Sequence, residues 1–299
     1  MFMNLQKTRS SLVCAFALIA TVLISSCTKN RLSTAALSAS KDGRLSRYDV
    51  FNYNNVGGAV PGLPAAGMVF SYDSSGRIGN VFLKLNSSLE GENLIYQNTQ
   101  VSKIQSSTLA SQTFQYDENG ILHAIAYTTL SDTGQISYNY DDSRRLVTLI
   151  DSVKTANGRI LKRRYDFSYG DDGNVSLIHQ NELNSDNTFK RSREYFTYFQ
   201  YDQQKNPFSS LPFSRADTLF PGREAALFNP NNVVSVKKTR ILFKDLGNGT
   251  TNIVPDTVPL YQASRAYTYG AKGFPLTCHE TYDDLQGSYQ VQRNFKFTY

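Results

Sequence analysis

The most reactive side chains in this 299-residue chain belong to three cysteines and three histidines. Cys278 and His279 are neighbours, and a thiolate beside an imidazole is the pair that cysteine nucleophiles use. Adjacent residues of a strand point to opposite faces, so this pair cannot act together if the segment is a strand. Cys278 is therefore expected to be a small core residue, because a free cysteine packs like a hydrophobic side chain.

Metal and disulfide chemistry find little support in the sequence. Cys14 and Cys27 both lie near the N-terminus, which leaves Cys278 without an internal disulfide partner. The histidines His123, His179 and His279 provide no closely spaced pair of ligands, so no metal site is predicted. His179 and His279 share one position of a repeat and would approach each other only if the sheet closes.

Three acidic pairs are interpreted as turn residues, because no loop of alternating oxygen ligands for calcium surrounds them. They are Asp141-Asp142, Asp171-Asp172 and Asp283-Asp284. The chain also has no Gly-x-Ser-x-Gly motif, no P-loop and no dinucleotide fingerprint. The sequence thus predicts no catalytic residue and no cofactor.

The N-terminal segment 1–26 has the pattern of a secretory leader. Lys7 and Arg9 give a basic start, and the apolar run from Leu12 to Ile24 is too short for a stable membrane span. It ends in Ile-Ser-Ser before Cys27, which resembles a bacterial lipobox in which Cys27 becomes the acylated first residue. Residues 27–44 are then the lipidated cysteine and a flexible tether, and several acyl chains would anchor the protein stably in a membrane.

The charge balance is mildly basic. The chain has 31 Lys and Arg against 25 Asp and Glu, a net charge of +6, and loss of Lys7 and Arg9 with the leader leaves 29 against 25, or +4. The basic residues are scattered, and the run Lys162-Arg163-Arg164 is interpreted as part of a solvated sheet face. Nucleic-acid binding is not predicted, because no recognition motif is present.

A repeated sequence motif makes up the rest of the chain, and it places two aromatic residues at positions i and i+2. The seven copies are Phe70/Tyr72, Phe114/Tyr116, Tyr138/Tyr140, Phe167/Tyr169, Phe199/Tyr201, Tyr267/Tyr269 and Phe297/Tyr299. A period of two puts both rings on one face of a strand, and the polar residue between them faces the other way. Core and cross-strand packing is the expected use of these rings.

Each ring pair is followed by a turn and a second strand. In Asp73–Gly76 and Asp117–Gly120 the aspartate can accept backbone hydrogen bonds and the glycine can take a positive φ. Apolar residues recur six and nine positions beyond the tyrosine. Arg144 and Gly170 depart from the pattern, and the sequence leaves the conformation of those two turns open.

The copies predict a domain over 45–299 that is almost entirely strands, one of them a continuous strand over 93–105. A Pro-rich insertion over 203–231 interrupts it. Such an insertion can be a lid, a plug or a binding loop. Its many apolar side chains favour a cover over one end of the core; they are Phe208, Leu211, Phe213, Leu219, Phe220 and Phe228.

The Tyr-Asp-x-x-Gly motif resembles the YD repeats of Rhs-type shells. Its combination with the lipobox, the segment Tyr201–Phe208, the segment Asn231–Val233 and Tyr269-x-x-x-Gly273 is closer to another group. Over 45–299 the chain resembles a family of Bacteroidetes lipoproteins of unknown function with a porin-like fold. That resemblance implies a curved antiparallel sheet or barrel, and it supplies no catalytic residues.

The sequence therefore predicts an all-β antiparallel meander of about 14 strands, strongly curved or barrel-like, with one Pro-rich insertion. A membrane-spanning barrel is disfavoured, because the positions between the rings are polar. The expected function is a non-catalytic envelope lipoprotein that binds a small-molecule, glycan or lipid ligand or a partner. The alternative is a periplasmic hydrolase of glycans or lipids with two facing carboxylates.

The membrane partner is expected to be reached through the lipid on Cys27. In Bacteroidetes-type lipoproteins an acidic run after this cysteine resembles a surface-export signal, and this chain has none there. The resemblance therefore favours an outer-membrane location that faces the periplasm.

Overall fold

Sixteen β-strands make up most of the described part of the chain. The computed structural model describes residues 44–52, 66–85, 88–106, 111–210, 229–244, 254–287 and 289–299. The leader, Cys27 and the tether up to residue 43 lie outside these residues. Among the described residues no helix has the length and apolar character needed to cross a membrane. The strands are β1 (Arg47–Asn52), β2 (Ala66–Tyr72), β3 (Ile78–Leu85), β4 (Ser88–Gln97), β5 (Gln100–Ser106), β6 (Ser111–Tyr116), β7 (Leu122–Thr128), β8 (Thr133–Tyr140), β9 (Leu146–Lys154), β10 (Ile160–Tyr169), β11 (Val175–Leu183), β12 (Phe189–Lys205), β13 (Asn231–Lys244), β14 (Val254–Tyr269), β15 (Pro275–Asp284) and β16 (Tyr289–Thr298).

The strands form one closed barrel in chain order. Each strand is antiparallel to its neighbours in the sequence, and β1 pairs with β16 from Arg47↔Thr298 to Asn52↔Arg293. The backbone N–H and the hydroxyl of Ser46 both donate to the carbonyl of Thr298, at 2.8 and 2.9 Å. The predicted antiparallel all-β meander is thus confirmed, with sixteen strands in place of about 14. Among the sixteen described strands, closure leaves no edge without a pairing neighbour.

The strand register confirms the repeat spacing. In five copies the residue nine positions beyond the tyrosine pairs with the first ring: Phe70↔Val81, Phe114↔Ile125, Tyr138↔Leu149, Phe167↔Ile178 and Tyr267↔Cys278. The residue six positions beyond pairs with the tyrosine itself, as in Tyr72↔Ile78, Tyr116↔Leu122, Tyr140↔Leu146 and Tyr169↔Val175. The register shifts by one residue between the two pairs, which is the mark of a β-bulge.

The predicted single strand over 93–105 is wrong, because the chain reverses within it and forms β4 and β5. Asn98 takes a positive φ of 57° in the turn, and Tyr96 pairs with Val101. Leu94 and Tyr96 hold the places of the ring pair. The copy was missed because leucine replaces the first ring and residues 97–100 contain neither Asp nor Gly.

The two turns that the sequence left open have the same conformation as the others. In the Arg144 copy the N–H of Asp141 bonds to the carbonyl of Arg145 at 2.9 Å, and the N–H of Arg144 bonds back to Asp141 at 2.8 Å. The turn that begins at Gly170 has the equivalent two bonds, at 2.9 and 3.1 Å. Arg144 takes φ 62° where other copies have glycine. Each turn is thus a reversal closed by a left-handed residue.

The predicted role of the turn aspartate is also confirmed. Oδ1 of Asp73 accepts the N–H groups of Ser75 and Arg77, both at 2.9 Å. These bonds lower the pKa of the Asp73 carboxyl, and the bond from the Arg77 backbone N–H contributes most to the lowering. The aspartate therefore stabilises the turn most strongly in its ionised form.

At the level of the ring pairs the barrel is apolar inside and polar outside. The first rings of the copies are buried and belong to one core cluster, among them Phe70, Phe114, Tyr138, Phe167, Phe199 and Phe297. The residues between the two rings of a copy are exposed at Gln115, Asn139, Ser168, Gln200 and Thr268, and half-buried at Ser71 and Thr298. Membrane barrels have the reverse arrangement, an apolar outer band around a polar interior.

In most copies the second ring joins neighbouring repeats through its hydroxyl; in the Tyr267/Tyr269 copy the first ring does so, and Tyr269 donates to Asp202 instead. Tyrosine hydroxyls donate to the backbone carbonyl at the start of the preceding return strand: Tyr72 to Leu45, Tyr96 to Ile78, Tyr116 to Val101, Tyr169 to Leu146, Tyr201 to Val175, Tyr267 to Val233 and Tyr299 to Pro275, over 2.7–3.0 Å. We call this set the tyrosine ladder. It lies at the end of the barrel that carries the repeat turns, the turn end; the opposite end is the far end.

The described part of the insertion packs into the turn end. Pro207–Ser210 form a short 3-10 helix. Phe208 is buried, and its ring centroid lies 5.4 Å from that of Tyr48 and 6.3 Å from that of Phe297. This position agrees with the predicted cover over the core. The other apolar residues named for that role, from Leu211 to Phe228, lie outside the described residues.

Candidate functional site

Beyond the ring layers, the interior of the barrel becomes polar towards the far end. Arg163 is two residues before the buried Tyr165, and Arg293 is two residues before the buried Phe295, so both arginines face inward. The same alternation places further polar residues inside. We call this set the charged layer: Gln112, Tyr127, Asp151, Arg163, Gln180, Lys238, Arg240, Arg265, Glu280 and Arg293.

Solvent reaches part of the charged layer. The side chains of Arg163 and Arg293 are 32% and 28% exposed although they face the interior of a closed barrel. Water therefore enters the barrel to the depth of these two guanidinium groups. The apolar rings and Phe208 fill the turn end below them.

An Arg–Glu–Arg triad forms one part of the charged layer. Glu280 on β15 is paired in register with Arg265 on β14 and with Arg293 on β16. Arg265 Nε donates to Glu280 Oε2 at 2.8 Å, and Arg293 Nη1 donates to Oε1 at 3.0 Å. The Glu280 side chain is only 1% exposed and that of Arg265 10%. Both carboxylate oxygens are thus held by charge-assisted hydrogen bonds.

Electrostatics in the triad keep the arginine charged and the tyrosines neutral. Burial lowers the pKa of Arg265, but Tyr267 and Glu280 raise it by more, so the net shift is upward. Burial raises the pKa of Tyr48 and of Tyr267, opposed only in part by Arg265. Near neutral pH the groups that carry charge here are therefore the two guanidinium groups and one carboxylate.

A second polar group surrounds Asp151. The Tyr127 hydroxyl donates to Asp151 Oδ1 at 2.8 Å, and Arg163 Nη1 lies 3.8 Å from Oδ2. Burial raises the pKa of Asp151, against the lowering by Tyr127 and Arg163. The carboxylates of Asp151 and Glu280 thus each have hydrogen-bond or ion-pair partners on neighbouring strands, which fix their positions.

A small cavity lies between the triad and the apolar layers. Its volume is about 20 Å³, and its lining includes Tyr48, Arg265, Tyr267, Cys278, Phe208 and Asn232. A cavity of this size holds about one or two particles the size of a water molecule.

The two residues of the candidate nucleophile pair lie on opposite faces, as predicted. Cys278 is buried in the core and pairs with Tyr267, and burial raises the pKa of its thiol to about 12. His279 is exposed on the outer face, where Nδ1 lies 2.7 Å from Asn294 Oδ1. The prediction that Cys278 is a core residue is confirmed.

The histidines have separate surroundings. His179 Nε2 lies 2.7 Å from Glu194 Oε1 and 2.9 Å from Asn181 Nδ2, and its ring stacks on Phe196 with centroids 4.3 Å apart. Closure of the sheet leaves His179 and His279 with different partners. Within the described ranges no group of three or more His, Cys, Asp or Glu side chains is arranged to hold a metal ion.

One member of each acidic pair serves a turn, as predicted, whereas Asp283 accepts from the side chains of Gln262 and Gln290 on the neighbouring strands. Asp141 accepts from the backbone N–H of Arg145 at 2.8 Å, and Asp172 accepts from that of Asn174 at 3.0 Å. Asp284 accepts from the N–H groups of Gln286 and Gly287, at 2.9 and 2.7 Å.

The interpretation of Lys162-Arg163-Arg164 as a solvated face is wrong for its central residue. Arg164 pairs with Asp166 on the outer face, whereas Arg163 points into the barrel beside Asp151. The alternation was visible in the sequence, since Arg163 continues the face of Tyr165, Phe167 and Tyr169. Arg265 likewise lies on the same face as Tyr267 and Tyr269. The alternation of the strand therefore identifies Arg163 and Arg265 as charges inside the barrel.

Comparison with solved structures supports the fold. The chain is similar to a porin-like protein from Bacteroides uniformis ATCC 8492, with a TM-score of 0.50 and 12% identity over 85% of this chain and 97% of that one. It is also similar to a porin-like protein from Bacteroides vulgatus ATCC 8482, with a TM-score of 0.51 and 11% identity over 86% and 98%. No protein-family model and no curated protein matches the chain. The likeness to these two structures shows the shared barrel fold.

Proposed function

We propose that this protein is a non-catalytic binding module of the bacterial cell envelope, and that its ligand enters the barrel from the far end. The proposal is carried by the charged layer, which solvent reaches. The apolar rings and Phe208 fill the barrel between this layer and the turn end. Arg163 and Arg293 present partly exposed guanidinium groups inside a closed wall. Concave sites with a few fixed polar groups are where ligands bind.

The ligand class proposed is a small molecule, a glycan or a lipid with polar groups that guanidinium can bind. The interior carboxylates Asp151 and Glu280 are engaged by tyrosine and arginine side chains. That engagement supports binding over the hydrolytic alternative, which needs two carboxylates with free access to one bond.

We further propose that the protein is held on the outer membrane by lipid on Cys27 and faces the periplasm. The support is the lipobox pattern before Cys27 and the lack of an acidic run after it. Leu45, near the start of β1, lies at the turn end because its carbonyl accepts the Tyr72 hydroxyl. The chain therefore enters the barrel at the turn end.

The anchor is tested by metabolic labelling with a radioactive fatty acid in cells that express the full chain. We expect label on the wild type and none on Cys27→Ser, which would be released into the soluble periplasmic fraction. Label retained on Cys27→Ser, or protease sensitivity of the wild type on intact cells, would contradict the anchor or its orientation.

Ligand binding is tested by mass spectrometry of what co-purifies with the full-length protein from envelope extracts. Arg163→Met and Arg293→Met are expected to reduce the captured ligand, whereas Arg164→Met, on the outer face, leaves it unchanged. Equal capture by all four proteins would contradict a site in the barrel, and turnover of glycans or lipids would favour the hydrolase.

A further inference from the structure

We propose that the cavity beside Arg265 is a binding site for a small inorganic anion of the halide class, with chloride as the expected occupant. This inference concerns the cavity at the triad and does not rest on the proposed function. It stands on three observations: the local charge, the donors that line the cavity, and its size.

The local charge favours an anion. Glu280 is shared by two guanidinium groups, so the triad has a net charge of +1. Arg265 is the more buried of the two arginines, with 10% of its side chain exposed. Because Arg265 shares its one carboxylate with Arg293, its own buried charge is only partly balanced, and such a charge is costly since the interior solvates it poorly. An anion in the adjoining cavity would bring the group to neutrality.

No Asp or Glu side chain is among the described residues that line the cavity. Asp202, at the turn end of the same wall, accepts hydrogen bonds from the Asn232 backbone N–H and the Tyr269 hydroxyl. The Cys278 thiol and the Tyr48 hydroxyl, which line the cavity, keep their protons near neutral pH because burial raises the pKa of each.

Two donors converge on the cavity. Among the described residues, Arg265 makes one side-chain hydrogen bond, from Nε to Glu280. Its two Nη groups are therefore available to donate to an anion in the cavity. Tyr48 also lines the cavity, and its hydroxyl is the second donor that an anion there would use. The amides of Asn206 and Asn232 are already used, by Asn229 and by Asp202 among others.

The size of the cavity selects the class of anion. A volume of about 20 Å³ holds about one or two water-sized particles, which suits a monatomic anion. A phosphate, sulfate or carboxylate ligand would require the surrounding rings to move. Those rings are held by packing, since Tyr48 lies 5.2–5.6 Å from Phe208, Phe295 and Phe297.

The direct test is crystallisation of the full-length protein from sodium bromide, with diffraction data at the bromine absorption edge. We expect an anomalous peak in the cavity, within hydrogen-bond distance of Arg265 Nη and Tyr48 Oη. Density in the cavity without anomalous signal would mean water only and would overturn the proposal.

The test in solution is the thermal unfolding midpoint of the full chain at constant ionic strength, as sodium chloride replaces sodium acetate. A site that binds the folded state gives a midpoint that rises with the logarithm of chloride concentration. We expect this slope in the wild type, a several-fold weaker apparent affinity in Tyr48→Phe, and no slope in Arg265→Met. Tyr48→Phe keeps the ring contacts, so it stays informative if Arg265→Met does not fold.

The matched control is Arg164→Met, which removes an arginine from the outer face and should keep the chloride slope of the wild type. Equal slopes in the wild type, Tyr48→Phe and Arg164→Met would overturn the proposal, because they would show a general effect of chloride. Loss of ligand capture by Arg163→Met tests the proposed function separately, since Arg163 does not line this cavity.

Discussion

The hydroxyl of Tyr169 donates a hydrogen bond to the backbone carbonyl of Leu146 over 2.8 Å. The bond joins β10 to the start of β9, on the side of the barrel interior. The same contact recurs around the barrel and ends with Tyr299, whose hydroxyl donates to Pro275. In the copies whose second ring makes this bond, it explains why that ring is tyrosine while the first ring is more often phenylalanine. The first ring needs only burial, and the second must also satisfy a carbonyl.

Removal of one hydroxyl from the tyrosine ladder is expected to destabilise the protein modestly. Tyr169→Phe keeps the ring and deletes the bond to Leu146, so we expect a loss of about 0.5–1.5 kcal/mol in the free energy of unfolding. Urea unfolding followed by circular dichroism measures it. Tyr198→Phe, on an outer-face ring that is 46% exposed, should change stability little. Equal effects of the two changes would show that the ladder contributes nothing specific.

Two turn residues with a positive φ, Arg144 and Gly173, give opposite predictions for the stability of their variants. Arg144 takes φ 62°, so Arg144→Gly should stabilise the protein by up to about 1 kcal/mol. Gly173 takes φ 77°, and a Cβ built there meets nothing within 4 Å, so Gly173→Ala tests the backbone alone and should cost about 1–2 kcal/mol. Chemical denaturation checks both, and a gain from Gly173→Ala would contradict the turn conformation.

Loss of the shared carboxylate should be the most damaging of the single changes considered. Glu280→Gln leaves two guanidinium groups in the interior with a neutral amide, and we expect a loss of about 3–5 kcal/mol. Asp166→Asn breaks the exposed pair with Arg164 on the outer face and should cost about 1 kcal/mol or less. The comparison uses calorimetric or urea unfolding; similar losses for the two variants would argue against a buried triad.

High pH is expected to unfold the barrel through its buried tyrosines. Burial raises the pKa of Tyr116 and of Tyr165 to about 12, above the usual 10. The folded state therefore holds these protons more tightly, so its stability is full below pH 10 and falls as the pH rises from 10 towards 12. Tyrosinate absorbance near 295 nm, a wavelength chosen as roughly that of the ionised phenol, should rise together with loss of the β-sheet circular dichroism signal. Ionisation of all tyrosines near pH 10 with the fold intact would contradict the burial.

Much of the local structure could be predicted because it depends on residues close together in the chain. The ring pairs, the turn aspartate of Asp73–Gly76 and the aliphatic anchors follow from a period of two and from turn chemistry. The copy at Leu94 and Tyr96 was missed because it lacks both a first ring and a turn signature. Its strands form nevertheless, since their neighbours on both sides supply the pairing.

The sequence by itself determined the repeating hairpin, its apolar face and the place of Cys278 in the core, because alternation and tight reversals are set within about ten residues. Only the tertiary structure decided that β1 meets β16, that Arg265 and Arg293 share Glu280, and that Arg163 lies inside. Closure depends on twist and stagger accumulated over all the strands. The pairing of interior charges depends on the register between strands, and no single segment of the chain specifies either.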